Sequence, residues 1–209
     1  MSDRHMIISI GRQCGSGGHE IGKKLAEHYG IAFYDQNIIQ MLADEMHVTA
    51  EEVEKLDEKL GSSFLIRRGG FEAKQKDLMN RMSRSDQVFL HESALLERMA
   101  ETESFVIIGR GANVILAENP DTLRLYIYAP EAFRIARTRE TYELDSDKDA
   151  QKMMEQIDKT RRQYFEFYTG RTWGDADHHD LMIDSSLLGI DGTTELIISV
   201  ADKKFGIRN

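Results

Sequence analysis

The stretch Gly11-Arg12-Gln13-Cys14-Gly15-Ser16-Gly17-Gly18 follows directly on the apolar, β-branched run Met6–Ile10. Beyond it, Ile21, Leu25 and Ala26 recur at helical spacing up to Gly30. Backbone N–H groups can close on an anion only where no side chain intervenes, and a helix N-terminus adds partial positive charge. Gly15, Ser16, Gly17 and Gly18 at such a junction predict a phosphate cradle, with Arg12 and His19 at its two ends. Glycines can also serve only to turn a chain tightly after a strand, but Gly-Ser-Gly-Gly directly after the first strand favours the cradle. Arginine, whose planar fork suits bidentate phosphate contacts, is the second group of interest. Arg110 stands between Gly109 and Gly111 after the apolar run Phe105–Ile108, and Arg134, Arg137 and Arg139 ride one predicted helix. Asp158 and Arg161 lie three residues apart on one helical face, a spacing that a plain ion pair explains equally well. Asp35 ends a second short strand, twenty residues after Gly15.

The loop alone leaves two patterns open. Gly-x-x-x-x-Gly-Lys-Ser/Thr, the P-loop, matches Gly15-Ser16-Gly17 but meets Gly18 in the lysine slot and His19 in the hydroxyl slot. Gly-x-Gly-x-x-Gly, the dinucleotide pattern, matches Gly15 and Gly17, meets Glu20 at the third glycine, and could use Asp35 on a ribose. Other residues read as structural. Cys14 sits near a helix N-terminus, where a thiol pKa can fall, yet it reads first as a packing residue. Tyr164, Phe165, Phe167 and Tyr168 read as core or lid packing. His178-His179, without partners at metal spacing, reads as a loop or helix-cap pair, and no protein-built metal site is expected. Asp184-Ser185-Ser186 suits a base contact or a capped turn equally.

These residues need a scaffold, and the hydrophobic pattern supplies one. Met6–Ile10, Ile31–Tyr34, Phe105–Ile108, Arg124–Tyr128 and Leu181–Asp184 read as short strands. Between them lie helical stretches: one after the glycine loop, a long excursion over 37–100, one opened by Pro130, one over Asp147–Tyr168, and a last one over Thr193–Phe205 that Gly206 can cap. Thr49-x-x-Glu52 is a capping box, with its helix running to Leu60. Gly61–Ser63 and Gly69–Gly70 interrupt the excursion, and Phe71–Arg84 and Ser85–Ala100 carry further helical periodicity. Strands separated by helices predict an α/β domain with a mostly parallel sheet of about five strands.

Composition narrows the function classes. A single cysteine excludes an intramolecular disulfide framework and suits a reducing compartment. The N-terminal residues lack the apolar core of a signal peptide, and no run approaches the roughly 20 apolar residues of a membrane helix, so a cytoplasmic protein is expected. A net charge of -9 excludes an extended nucleic-acid surface. Residues 110–171 nevertheless hold eight of the sixteen arginines and are neutral overall. Arginine is thus concentrated in one region of an acidic chain.

The segments IISIGRQCGSGGHEIGKKLAEHYGIAFYDQNII, FVIIGRGANVIL, RLYIYAPEAFRIARTRE and DKTRRQYFEFYTGRTWGDADHHDLMIDSSLLGID together resemble the cytidylate kinase-like family of P-loop proteins. The resemblance spans nearly the whole chain and is weakest over residues 40–100. It implies one P-loop NTPase-type domain over residues 1–209, a three-layer α/β/α sandwich with a helical substrate lobe over about 37–100 and a lid-type segment over about 137–175. The activity it implies is ATP- and Mg²⁺-dependent transfer of the γ-phosphoryl group to a CMP-type acceptor, with small nucleotides as the partners. Arg12, Gly15, Ser16, Gly17, Gly18 and His19 would then hold nucleotide phosphates, and Asp35 and Arg110 the acceptor. Arg137, Arg139, Asp158 and Arg161 would act at the transferring group. Two departures stand out: Gly18 and His19 supply neither the P-loop lysine nor its hydroxyl, and Gly111 replaces the aspartate of Gly-Arg-Asp. Arg12, Lys23 or a lid arginine could substitute for the lysine. A nucleotide-binding regulatory protein without turnover is the alternative, with an NAD(P)-dependent oxidoreductase behind it.

Overall fold

A computed structural model describes residues 5–57 and 83–207. Five strands, β1 (Ile7–Arg12), β2 (Ala32–Tyr34), β3 (Phe105–Ile108), β4 (Thr122–Tyr128) and β5 (Leu181–Asp184), form one parallel sheet in the order β2-β3-β1-β4-β5. The helices are α1 (Gly18–Tyr29), α2 (Asn37–Met46), α3 (Ala50–Asp57), α4 (Arg84–Thr102), α5 (Ala112–Ile115), α6 (Glu131–Thr141), α7 (Asp147–Thr169) and α8 (Gly189–Phe205).

Alternation along the strands sorts the core into two layers. Ile8 pairs with Val106 and Leu123, Ile10 with Ile108 and Leu125, and all of these face Ile21 and Leu25 of α1 and Ile197 of α8. Ile7, Phe105 and Ile107 face the other way, onto Ile38 and Leu42 of α2, Val53 of α3 and Leu96 of α4. A parallel sheet covered on both faces needs such continuous apolar strands, as MIISI and FVII are. The described parts of 37–100 therefore form one of the two helical layers. The breaks expected at 61–63 and 69–70, the end of the helix expected to reach Leu60, and nearly all of that expected over Phe71–Arg84 lie outside the described residues.

Several element ends differ from the sequence expectation. β1 runs on through Gly11 and Arg12, which pair with Tyr126 and Ile127, so the turn starts only at Gln13. Ladder hydrogen bonds use backbone alone, and apolar periodicity does not see them. Pro130 lies one residue outside α6, because its ψ of 148° is extended. α8 begins at Gly189, where Thr193 and Thr194 donate back to the carbonyls of Gly189 and Ile190, at 2.6 and 2.9 Å, and so belong to the helix interior. The Thr49 box forms as expected: Thr49 N donates to Glu52 Oε2 at 3.0 Å, and Glu52 N to Thr49 Oγ1 at 3.2 Å.

The chain moves from β1 to β2 and β3 on one side, then to β4 and β5 on the other. Strand order reverses at β1, and in open parallel sheets the crevice for a ligand lies beyond the strand C-termini at that point. β1 ends there with Arg12.

Candidate phosphate-binding site

Gln13–Gly17 turn across the end of β1 and enter α1 at Gly18. Gly15 and Gly17 have φ of 75° and 81°, a region that disfavours any side chain. A Cβ at Gly15 would overlap the Arg134 carbonyl oxygen, and one at Gly17 would overlap Ile190, so the loop lies directly against α6 and α8. Ser16 is fully buried; its Oγ donates to Gln13 O at 2.8 Å, and its own carbonyl accepts from Ser185 Oγ at 2.6 Å. Its hydroxyl thus braces the turn. The Asp184 carboxylate accepts from Ser186 N and Oγ at 2.9 and 2.7 Å, which makes 184–186 a capped turn.

Asp158 reaches this loop from α7. Its Oδ1 accepts the Cys14 N–H at 2.7 Å and its Oδ2 accepts Arg134 Nη1 at 2.7 Å, while Arg161 Nη1 stands 3.8 Å off. Arg134 Nη1 also donates to Cys14 O at 3.3 Å, so both ends of one loop residue are clamped by the helices that follow β4. The ion pair suggested by Asp-x-x-Arg spacing is therefore the weakest of the contacts Asp158 makes. The Cys14 thiol is buried and pushed up by that burial, 3.9 Å from Thr138 Oγ1; it is a packing residue, not an activated thiolate.

Two cavities open on either side of Arg12. The loop cavity is lined by Cys14, Gly15, Gly17, Gly18, His19 and Arg137 among others. The second lies over the end of β3 and is lined by Asp35, Arg110, Asn113, Tyr126, Tyr164, Phe165, Trp173 and His179 among others. Arg12 and Arg161 line both. Arg12 is largely enclosed, its side chain 17% exposed, and the loss of solvent, with Arg161 and Arg110 beside it and Asp35 opposing, pushes its pKa down to about 9. The guanidinium still carries its charge near neutrality, in a place that disfavours it.

Arg110 is presented on a run of three left-handed residues, Gly109, Arg110 and Gly111, with φ of 76°, 58° and 64°. A left-handed non-glycine residue is uncommon and costs energy. Arg110 Nε lies 3.4 Å from Oε1 of the fully buried Glu92, whose Oε2 accepts from Tyr164 Oη at 2.6 Å. Glu92 escaped the sequence reading, although an acid in the α4 stripe of Val88, Phe89, Leu95, Leu96 and Met99 was its signal.

His179 was read as a loop or cap residue, and it does follow a short 3₁₀ turn at Ala176–His178. It also forms a wall of the second cavity, packed on Tyr126 with ring centroids 5.1 Å apart. Its Nδ1 donates to Asp175 O at 2.8 Å, so Nε2 accepts from Asn113 Nδ2 at 3.3 Å in the neutral ring. Burial holds His179 below its ordinary value. A histidine so shifted binds its proton less readily folded than unfolded, so the stability contributed by the neutral ring is complete above about pH 6.5 and is lost as the pH falls through the lower folded value. The thermal midpoint of wild type should exceed that of His179→Gln by more at pH 7.5 than at pH 5, read by paired melts. An equal gap at both pH values would remove His179 from the acid side of the stability profile.

The remaining candidates divide. Arg137 lines the loop cavity with Nη2 2.9 Å from Glu20 Oε2. Arg139 pairs with Asp147 at 2.9 Å, is half exposed, and lines neither cavity. His19 turns to Asp35, 3.3 Å away. Lys23 is exposed on α1 and lines neither cavity. Phe165 and Tyr168 are buried as expected, Tyr168 stacked on Phe89 at 4.5 Å, but Phe165 and Tyr164 also reach the second cavity.

A parallel sheet in the order β2-β3-β1-β4-β5, which differs from the 3-2-1-4-5-6 order of the dinucleotide fold, with a glycine loop joining β1 to the first helix, places the chain in the P-loop class of α/β proteins. Shikimate kinase from Bacteroides thetaiotaomicron shares this fold, with a TM-score of 0.53 at 13% identity over 94% of this chain and 98% of that one. Within that class, the chain belongs to the cytidylate kinase-like family, whose sequence profile matches residues 7–187. It is 27% identical to a cytidylate kinase of Methanocaldococcus jannaschii over 94% of this chain and 98% of that protein. A cytidylate kinase of Methanopyrus kandleri is 26% identical over 94% and 93%. The crystal structure of an uncharacterised protein from Eubacterium ventriosum matches with a TM-score of 0.69 at 30% identity, covering 95% of this chain and 99% of that one.

Proposed function

We propose that this protein is an ATP-dependent nucleoside monophosphate kinase that moves the γ-phosphoryl group of ATP onto a CMP-type acceptor. The observation that carries the reading is the pair of cavities meeting at Arg12 and Arg161, one built on the glycine loop and one on Arg110. Phosphoryl transfer asks a protein mainly to hold two substrates in line and to stabilise charge on the transferring group. The loop cavity suits the donor phosphates, through the backbone of Gly15–Gly18 and the start of α1. In the second cavity Arg110 suits the acceptor phosphate, and the aromatic and polar wall of Tyr126, Trp173, Asn113 and His179 suits a sugar and base. Cytidylate kinases among its relatives favour the same acceptor class.

Mg²⁺ fits the donor set in one form. Among the described residues no group of three or more His, Cys, Asp or Glu could cage an ion, but Mg²⁺ is commonly held by substrate phosphates, waters and one or two carboxylates. Asp35, at the end of β2 and on the cavity wall, is the carboxylate placed for that. Bound there, the ion would neutralise phosphate charge.

Purified protein with ATP and Mg²⁺ should form ADP in the presence of CMP or dCMP, measured across a panel that includes UMP and AMP. Arg110→Ala should raise the acceptor KM by about 10–100-fold, the worth of one charge-assisted contact, and leave the KM for ATP unchanged. No ADP with any acceptor, alongside saturable ATP binding by calorimetry, would favour a regulatory nucleotide-binding protein, the reading that Gly18 and His19 prompt. Stabilisation by NAD(P) in place of ATP would favour the oxidoreductase.

A further inference from the structure

We infer that Arg12 is the catalytic cation of this chain, holding from the end of β1 the role a lysine plays in the P-loop, and that position 18 is glycine because the Arg12 stem fills its side-chain space. This rests on the phosphotransfer reading above. A Cβ at Gly18 would lie 2.6 Å from Arg12 Cβ and 3.1 Å from Arg12 Cγ. The backbone fixes Cβ, which no rotamer change can move, so a lysine at 18 and an arginine at 12 exclude one another. The far end of the side chain is cleared in the same manner. Gly109, with φ of 76°, sits where a Cβ would overlap Arg12 Nη1. One glycine therefore accommodates the stem and another the guanidinium.

The fork so placed has donors to spare. Arg12 Nε is buried without a hydrogen-bond partner among the described residues. Its carboxylate neighbour Asp35 stands 3.8 Å from Nη2, beyond hydrogen-bond reach. Arg161 and Arg110 add positive charge beside it. A largely enclosed cation flanked by two more, with an unmet buried Nε–H and a cavity on either side, is arranged for an anion that bridges those cavities. The other cations proposed for the role are engaged or distant: Arg137 lines the loop cavity but is held by Glu20 at 2.9 Å, Arg139 pairs with Asp147 and lines neither cavity, and Lys23 lines neither cavity. In the reaction, the bond between Pγ and the bridging oxygen of ADP breaks and its electron pair leaves on ADP. An oxygen of the acceptor phosphate forms the new bond to phosphorus. Arg12 donates to the oxygens of the transferring group and keeps its proton throughout.

The test relocates the charge. Arg12→Ala should lower kcat by about 10²–10³-fold and weaken ATP binding by about tenfold or more without lowering the thermal midpoint, since a disfavoured, largely enclosed charge has been removed. Gly18→Lys alone should lower the midpoint, because its Cβ meets the Arg12 stem. The double variant Arg12→Gly/Gly18→Lys, which also removes the Cβ that alanine would keep, should regain the midpoint lost in Gly18→Lys and recover about tenfold or more of the kcat and ATP affinity lost in Arg12→Ala. Arg12→Gln, which keeps most of the volume, gives the same reading should the alanine variant not fold. Activity of Arg12→Ala or Arg12→Gln within about threefold of wild type, or a double variant no better than Arg12→Ala, would overturn the inference and leave the kinase reading standing. Conversely, wild type without turnover, but with ATP affinity lost in Arg12→Ala and regained in the double variant, would overturn the kinase reading and leave Arg12 as the phosphate-binding cation. Wild type that binds no ATP would overturn both.

Discussion

Replacing Glu92 with alanine is expected to cost about 3–5 kcal/mol of unfolding free energy, the usual penalty for breaking a buried ion pair from one side. Glu92 is fully buried in the stripe by which α4 packs on the sheet, with Arg110 Nε at 3.4 Å and Tyr164 Oη at 2.6 Å. Its carboxylate thus joins three parts of the chain: α4, the left-handed turn after β3, and α7. Alanine removes the charge that Arg110 faces, leaves a cavity in the α4 stripe, and strips the Tyr164 hydroxyl of its acceptor. The pair as a whole need not stabilise the fold relative to apolar residues, since desolvating two charges offsets much of their attraction. It is the one-sided loss that is costly. Urea denaturation should show the full decrease for Glu92→Ala, and Glu92→Gln should recover part of it by keeping a hydrogen-bond acceptor for Tyr164. A loss below about 1 kcal/mol for Glu92→Ala would mean that other contacts hold Arg110 and that Glu92 is dispensable.

Arg161→Ala should lower kcat by about 10³-fold, at the lower end of what an arginine at a transferring phosphoryl group contributes. Arg161 projects from α7 to the junction of the two cavities, where its buried Nη1 has no hydrogen-bond partner among the described residues and only a 3.8 Å approach to Asp158. Asp158 is otherwise engaged, by Cys14 N and Arg134, and so leaves the Arg161 fork facing the cleft. Because Arg161 also presses on Arg12, its removal should not lower the thermal midpoint. Arg139→Ala is the contrast: its partner Asp147 and its half-exposed position lie away from both cavities, so kcat should change by less than about twofold. Steady-state rates for the two variants, with melts to control for folding, decide the matter. Equal effects would show that general positive charge, not position, governs the rate.

Much of the fold was legible because it is local. Apolar runs of four to six residues, the glycine turn and the Thr49 box each reflect forces acting within a few residues of one another, and the strands they predicted are the strands that form. The site was legible in its residue types and only partly in their placement. Arg12, Gly15–Gly18, Arg110, Asp158 and Arg161 do converge at the switch point, whereas Arg139 does not. Helical periodicity put Arg134, Arg137 and Arg139 on one helix, but it carries no information on which of them turns inward.

What remained hidden depends on contacts between distant residues. The Cys14 peptide is held by Asp158 across 144 positions, and Tyr164 reaches Glu92 across 72. His179, read as a loop or cap residue, and Asn113, which no sequence pattern singles out, meet across 66 positions to wall a cavity. Such pairs are set by the sheet order β2-β3-β1-β4-β5, which carries residues 12, 110 and 161 to one crevice. The absent lysine shows the division most plainly. From the chain alone, Arg12, Lys23 and a lid arginine stand as equal substitutes for it, since the apolar pattern does not reveal that β1 extends through Arg12. In three dimensions Gly18 and Arg12 occupy a single volume. The types of residue available for phosphate chemistry are written in the sequence; which of them fills the space where the charge is needed was decided only when β1 and α1 were packed against each other.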